Sequence, residues 1–229
     1  MDFLRDSAYM GILLSLLAYG IGYLMKAKFK WGIFNPLLIS IIITIAVLVV
    51  GGIDYDTYNS SAKILSWLLT PATVCLAVPL YEKLQLLKDN MAAIIAGILV
   101  GVLSSMLCVL AMAAAFGFSH MEYVTFLPKS ITTAIGIGVS EELGGNSNLT
   151  AAIIIITGVM GNVMAPFILR VGRITEPIAK GIAIGSSAHA LGTAKAMELG
   201  ETEGAMSGLS IGVSGILTVI AASFFAQIL

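Results

Sequence analysis

The sequence predicts an all-α polytopic membrane protein with about seven or eight transmembrane segments, some of them discontinuous or re-entrant. Three observations carry this. Of 229 residues, 58% are hydrophobic and only 11% charged, against about 25% charged in a soluble domain. The mean hydropathy of +0.99 describes more apolar surface than a chain of this length can hide in a private core. Two polar stretches, Leu127 to Thr133 and Gly185 to Thr193, interrupt segments that are otherwise oil.

Each span needs about 20 apolar residues. Apolar runs place spans at about 7–25, 32–51, 64–80, 91–116, 150–169, 177–198 and 205–228, with 123–143 ambiguous. They read as one integral membrane domain over 1–229, with pseudo-repeat halves at about 1–116 and 117–229. The first segment opens with Asp2, Arg5 and Asp6 rather than a basic stretch, so it is expected to be retained and not cleaved as a signal. No soluble domain or long linker is expected. The net charge of -1 gives no footprint for nucleic acid. Cys75 and Cys108 lie in apolar segments and are expected to be small buried hydrophobes.

Lys and Arg mark cytoplasmic loops. Lys26, Lys28 and Lys30 put the end of the first span inside; Asp54 and Asp56 put the next loop outside, Lys63 being its one cation. Lys83 and Lys88 read as inside, the loop around His120 and Glu122 as outside, and Arg170, Arg173 and Lys180 as inside. Segment 123–143 is then expected to enter and leave on one face. Pro128, Gly136, Gly138, Gly144 and Gly145 permit such a bend; a simple crossing that breaks the charge rule once is the plainer alternative.

A weak internal repeat accompanies this. One fixed shift aligns Thr73 with Thr132, Glu82 with Glu141, and Ala92 to Ile95 with Ala151 to Ile154. By the charge rule the later pair, 91–116 and 150–169, run in opposite directions, as in transporters built from inverted repeats. Apolar helices also match one another by chance.

The two polar stretches are the candidate substrate site. Ionisable residues at bilayer depth are costly, so each is a functional hypothesis by default. Pro128 breaks a helix or opens a new one, whose N-terminus would attract an anion. Lys129 adds a full positive charge, and on a helix Lys129, Thr132 and Thr133 would share a face with Ser130 beside them. In the second stretch Gly181, Gly185 and Gly192 permit close packing or an unwound turn; if the stretch is helical, Ser186, His189 and Thr193 share a face with Ser187 alongside, and His189 could carry a proton or donate a neutral hydrogen bond to a carboxylate. The plainer readings are a snorkelling lysine, hydroxyls bonded to their own helix and a small-residue helix interface. Asn162 is a further polar candidate mid-span, as ligand or interhelical bond. Asn35 with Pro36, and Thr70 with Pro71 and Pro79, mark additional breaks or kinks. No zinc spacing, nucleophile elbow or phosphate loop is present, so neither enzyme chemistry, nor a metal, nor a cofactor is expected.

Several motifs in one order resemble the LrgB/CidB family, including its YohK-type members. They are Asn35-Pro36-Leu37-Leu38, Leu69 to Thr73 with Val78 to Tyr81, Leu127-Pro128-Lys129-Ser130, Gly138 to Glu141, Ala188 to Ala194, and Glu203 to Leu209. Thr133-Ala134 departs from the Thr-Pro expected there. The resemblance covers nearly the whole chain. It implies a multi-pass protein of the bacterial inner membrane working beside a small LrgA/CidA-type partner. It also implies either antiholin-like control of murein hydrolase export and autolysis or carboxylate transport, as in plastidial glycolate–glycerate relatives. The fold implied is that of the cation–proton antiporter and anion transporter superfamily, with crossing discontinuous helices.

Residues and resemblance together lead to an expected carrier for small monocarboxylates such as pyruvate or glycolate, coupled to a proton or cation and assembled as a homo-oligomer such as a dimer. A holin-like regulator or pore component is the alternative, and a scaffold for a partner is a third reading.

Overall fold

The computed structural model describes residues 9–29, 35–68, 71, 74–75 and 77–229. Thr70, Thr73 and Lys30 fall outside them. The described residues are helical and contain no strand. The chain divides into two compact units, Met1–Cys75 and Leu76–Leu229.

In the first unit α1 (Met10–Phe29), α2 (Pro36–Gly51) and α3 (Tyr55–Trp67) pack together. Asn35 caps α2, its side chain accepting from the N–H of Leu37 at 2.9 Å. Pro36 takes the first helical position, where its missing N–H costs nothing. Asn35-Pro36 therefore begins a helix. Polar contacts join α1 to α3: the Gly11 N–H donates to Ser61 Oγ at 2.9 Å, and Ser15 Oγ lies 2.8 Å from the Tyr58 hydroxyl. Lys26 and Lys28 close α1, where cations suit the negative end of a helix.

The second unit holds α4 (Ala77–Glu82, containing Pro79), α5 (Leu84–Asp89), α6 (Met91–Phe116), α7 (His120–Phe126), α8 (Thr133–Glu142), α9 (Ser147–Val171), α10 (Pro177–Leu199) and α11 (Glu201–Phe225). Along α6, Ile94, Ile98, Val102, Met106, Val109 and Ala113 form one buried stripe, at the spacing of a single helix face. They join Tyr123, Val124, Leu127, Ala205 and Met206 in the core. Val100, Leu107 and Met112 on α6, and Ile156, Met160 and Phe167 on α9, stay exposed, as lipid-facing side chains must be. Among the described residues α1, α6, α9 and α11 are long and apolar enough to cross a membrane.

Two segments fold back on themselves. The first is α7–α8. Ser119 and Glu122 form a capping box at its start, and Tyr123 donates from its hydroxyl to the Phe225 carbonyl. The helix stops after Phe126 and restarts at Thr133. The chain then returns to where it began: the Asn146 N–H donates to Thr125 Oγ1 at 2.9 Å, and Thr150 Oγ1 donates to the Thr125 carbonyl at 3.1 Å. Segment 123–143 thus leaves from and comes back to one place.

The second is α10, where hydropathy suggests a straight crossing over 177–198. His189 instead has φ 43° and ψ −139°, which ends the first half-helix and reverses the chain. Before the break Gly181 lies against Glu203 and Met206, and Gly185 against Ser207 and Ser210. After it the order runs backward: Thr193 Oγ1 is 2.7 Å from Ser207 Oγ, and Met197 packs on Gly204. A straight helix could not touch the same turns of α11 twice. The tip reaches the middle of α9, with Ala188 against Gly161 and His189 against Gly158.

Candidate functional site

A cavity of about 940 Å³ opens within the second unit between α6, the α7–α8 break and the first half of α10. Its walls include Gly101, Ser104, Ser105 and Cys108 from α6, Lys129 and Ser130 from the break, and Ser186 and Ser187 from α10. Asn90 and Glu176 also contribute. Gly101 is what lets α10 approach: a methyl there would fall 2.7 Å from Ser186 Oγ.

The Lys129 ammonium donates to Ser130 Oγ at 3.1 Å, and Ser130 Oγ lies 2.9 Å from Ser105 Oγ. Ser130 is only 8% exposed. An ammonium carries three donors, and no carboxylate pairs with Lys129 among the described residues. The hydroxyls of Ser186 and Ser187 donate to the carbonyls of Ile182 and Ala183, at 2.7 and 2.6 Å. Each of these protons would have to leave its own helix to reach an anion. Lys129 is therefore the strongest anion donor on this wall.

The other expected residues lie elsewhere. Residues 127–132 are not helical, so Lys129, Thr132 and Thr133 do not share a helix face. Pro128 sits inside the break, and the new helix begins at Thr133 with Thr132 in the extended cap position. Neither threonine lines the cavity. The reversal at His189 likewise separates Ser186 from Thr193. His189, 3% exposed, directs Nε2 to the Ile154 carbonyl at 3.0 Å. Thr193 bonds Ser207 and the His189 carbonyl, and Asn162 donates from its amide to the Leu191 carbonyl. These three brace the second reversal against α9 and α11.

Ser104, Ser105 and Cys108 are among the cavity residues the sequence does not single out, as are Asn90, Gly101 and Glu176. Two adjacent serines inside a 26-residue apolar helix were the available signal. Cys75 and Cys108 are both exposed, which corrects the expectation that they are buried; Cys108 faces the cavity.

The LrgB-like family profile matches residues 15–228, nearly the whole chain, including every cavity residue above. The chain belongs to the LrgB-like family. It is 37% identical over 218 residues to the antiholin-like protein LrgB of Bacillus cereus (strain B4264), covering 95% of each chain. The antiholin-like protein LrgB of Bacillus anthracis (strain CDC 684 / NRRL 3495) is similar to the same degree over the same share. No solved structure matches. With four helices among the described residues long and apolar enough to span a bilayer, this LrgB-family chain is a multi-pass protein of the bacterial inner membrane.

Proposed function

We propose that the chain carries small monocarboxylates of the size of pyruvate or glycolate, bound in the cavity of the second unit. The observation that carries this reading is Lys129: an ammonium at a helix break, without a carboxylate partner among the described residues, on a cavity wall with Ser130 and Ser105. Such a group is expensive at membrane depth unless an anion visits it. Discontinuous helices are how many carriers hold anions mid-bilayer.

The order of elements supports an inverted pair, α6 with the α7–α8 reversal and α9 with the α10 reversal. In each, one long helix precedes one fold-back, and the shift that aligns Ala92 with Ala151 also aligns Ser130 with His189. The two fold-backs would then be re-entrant from opposite faces, filling out the seven or eight segments the sequence predicts. Coupling to a proton or cation, a dimer and an LrgA/CidA-type partner complete the proposed working form.

The test is uptake of labelled pyruvate and glycolate into proteoliposomes. Losing a charged hydrogen bond costs about 1.5–3 kcal/mol, so Lys129→Ala should reduce uptake by about tenfold or more. Unchanged uptake would refute the site.

The second reading is an antiholin-like regulator of murein hydrolase export. The comparisons favour it: the relatives reported above carry that name and none is named a carrier. Leakage of entrapped solutes regardless of their size would favour it over a carrier.

A further inference from the structure

We propose that the chain holds the phosphate headgroup of an anionic phospholipid in a second cavity at the C-terminal end of α9. This cavity, of about 610 Å³, shares no lining residue with the first. Arg170, Arg173 and Lys180 stand on its walls with Leu169, Ile174 and Leu199. Lys180 is partly neutralised by Glu203 at 3.6 Å. Neither guanidinium makes an ion pair or side-chain hydrogen bond among the described residues. Two uncompensated cations thus meet an apolar wall, which complements a phosphodiester joined to an acyl chain. A soluble anion would have no use for the leucines and isoleucine.

Depth and backbone agree with this occupant. A helix of 25 residues is about 37 Å long, against about 30 Å of hydrocarbon, so the end of α9 falls among headgroups. The charge pattern puts that end on the cytoplasmic side, where basic pockets between helices bind anionic lipids. Arg173 has φ 53°, and the Ile174 N–H bonds back to the Leu169 carbonyl at 2.9 Å. This is the helix-ending position that glycine normally takes. An arginine keeps a strained backbone there, and such outliers are grounds for a functional hypothesis.

The test melts the purified full chain in detergent with added phosphatidylglycerol, phosphatidylcholine or soluble glycerol phosphate. Phosphatidylglycerol alone should raise the melting temperature, by about 5 °C near saturation. Arg170→Gln with Arg173→Gln should abolish the rise, as should Arg173→Gly. The glycine variant relieves the positive φ, so in phosphatidylcholine it should melt no lower than the parent; its loss of response is then not misfolding. Lys129→Ala should keep the full rise, which separates this site from the carrier reading. Equal stabilisation by phosphatidylcholine, no rise with phosphatidylglycerol, or a rise that survives both arginine variants would overturn the proposal. An equal rise with glycerol phosphate would overturn it in favour of a soluble phosphate site.

Discussion

His189 Nε2 lies 3.0 Å from the backbone carbonyl of Ile154. A carbonyl only accepts, so Nε2 carries the proton in this contact. The bond fastens the tip of the α10 reversal to the middle of α9, and it does so from a residue with φ 43° and ψ −139°, a backbone region that suits glycine.

That pairing separates two substitutions. His189→Ala keeps the strain and loses the bond, which should cost about 1–3 kcal/mol. His189→Gly loses the same bond but relieves strain of about 1–3 kcal/mol. Thermal unfolding in detergent should therefore rank the alanine variant last, with the glycine variant above it and close to the parent. An alanine variant that melts above the glycine variant would contradict the strained tip.

Cys108 lines the cavity that holds Lys129 and its thiol is free. A small negatively charged methanethiosulfonate should label it in the folded protein. Pyruvate should slow the labelling if the carboxylate occupies the Lys129 wall, and Lys129→Ala should remove that protection. Mass spectrometry of the intact chain reads both effects. Labelling untouched by millimolar pyruvate would argue against occupancy.

Gly185 and Gly212 sit on neighbouring helices in opposite surroundings. A methyl on Gly185 would fall against the Ser207 carbonyl and 2.8 Å from Ser210 Cβ, whereas one on Gly212 meets nothing within 4 Å. Gly185→Ala should destabilise by about 1–3 kcal/mol through overpacking. Gly212→Ala should be neutral or stabilise by up to about 1 kcal/mol through helix propensity. Parallel thermal melts of the two variants check the contrast.

Glu122 lies at the exposed start of α7, where the side-chain hydroxyl and then the backbone N–H of Ser119 hold its carboxyl below the usual range. A depressed carboxyl contributes stability that is present above its unfolded value, about 4.3, and is lost as pH falls through the lower folded value. The melting temperature of the parent should fall more steeply than that of Glu122→Gln as pH drops from about 5 to 3. Parallel curves for the two proteins would show that the capping box does not couple to folding.

Much of this protein was legible one residue at a time. Charge scarcity and long apolar runs announce a helical membrane chain because a bilayer tolerates little else. Pro128 marks a break because proline lacks an N–H. The family was legible in ordered motifs such as Leu127 to Ser130 and Ala188 to Ala194. The return of 123–143 was foreshadowed by the charge count across Lys88 and Arg170, since charge reports which side of the membrane a loop occupies.

The glycines around His189 permit an unwound turn, but the full reversal there was not legible. Hydropathy adds up local composition, and 177–198 is apolar enough to pass for a rod. The turn depends on contacts between residues far apart in sequence: His189 with Ile154, Ala188 with Gly161, Gly185 with Ser207. The same is true of the site. Lys129, Ser130, Ser186 and Ser187 could be named from sequence, but their meeting with Ser105 and Cys108 on one wall, and the exclusion of Thr132, Thr133, Asn162, His189 and Thr193 from it, followed from how α6, the α7–α8 break and α10 close on a cavity. Sequence alone determined that this chain lives in a bilayer and carries polar interruptions there. Only tertiary packing decided which of those groups face shared space and which are spent bracing the backbone, because that choice depends on distances between helices and not on order along the chain.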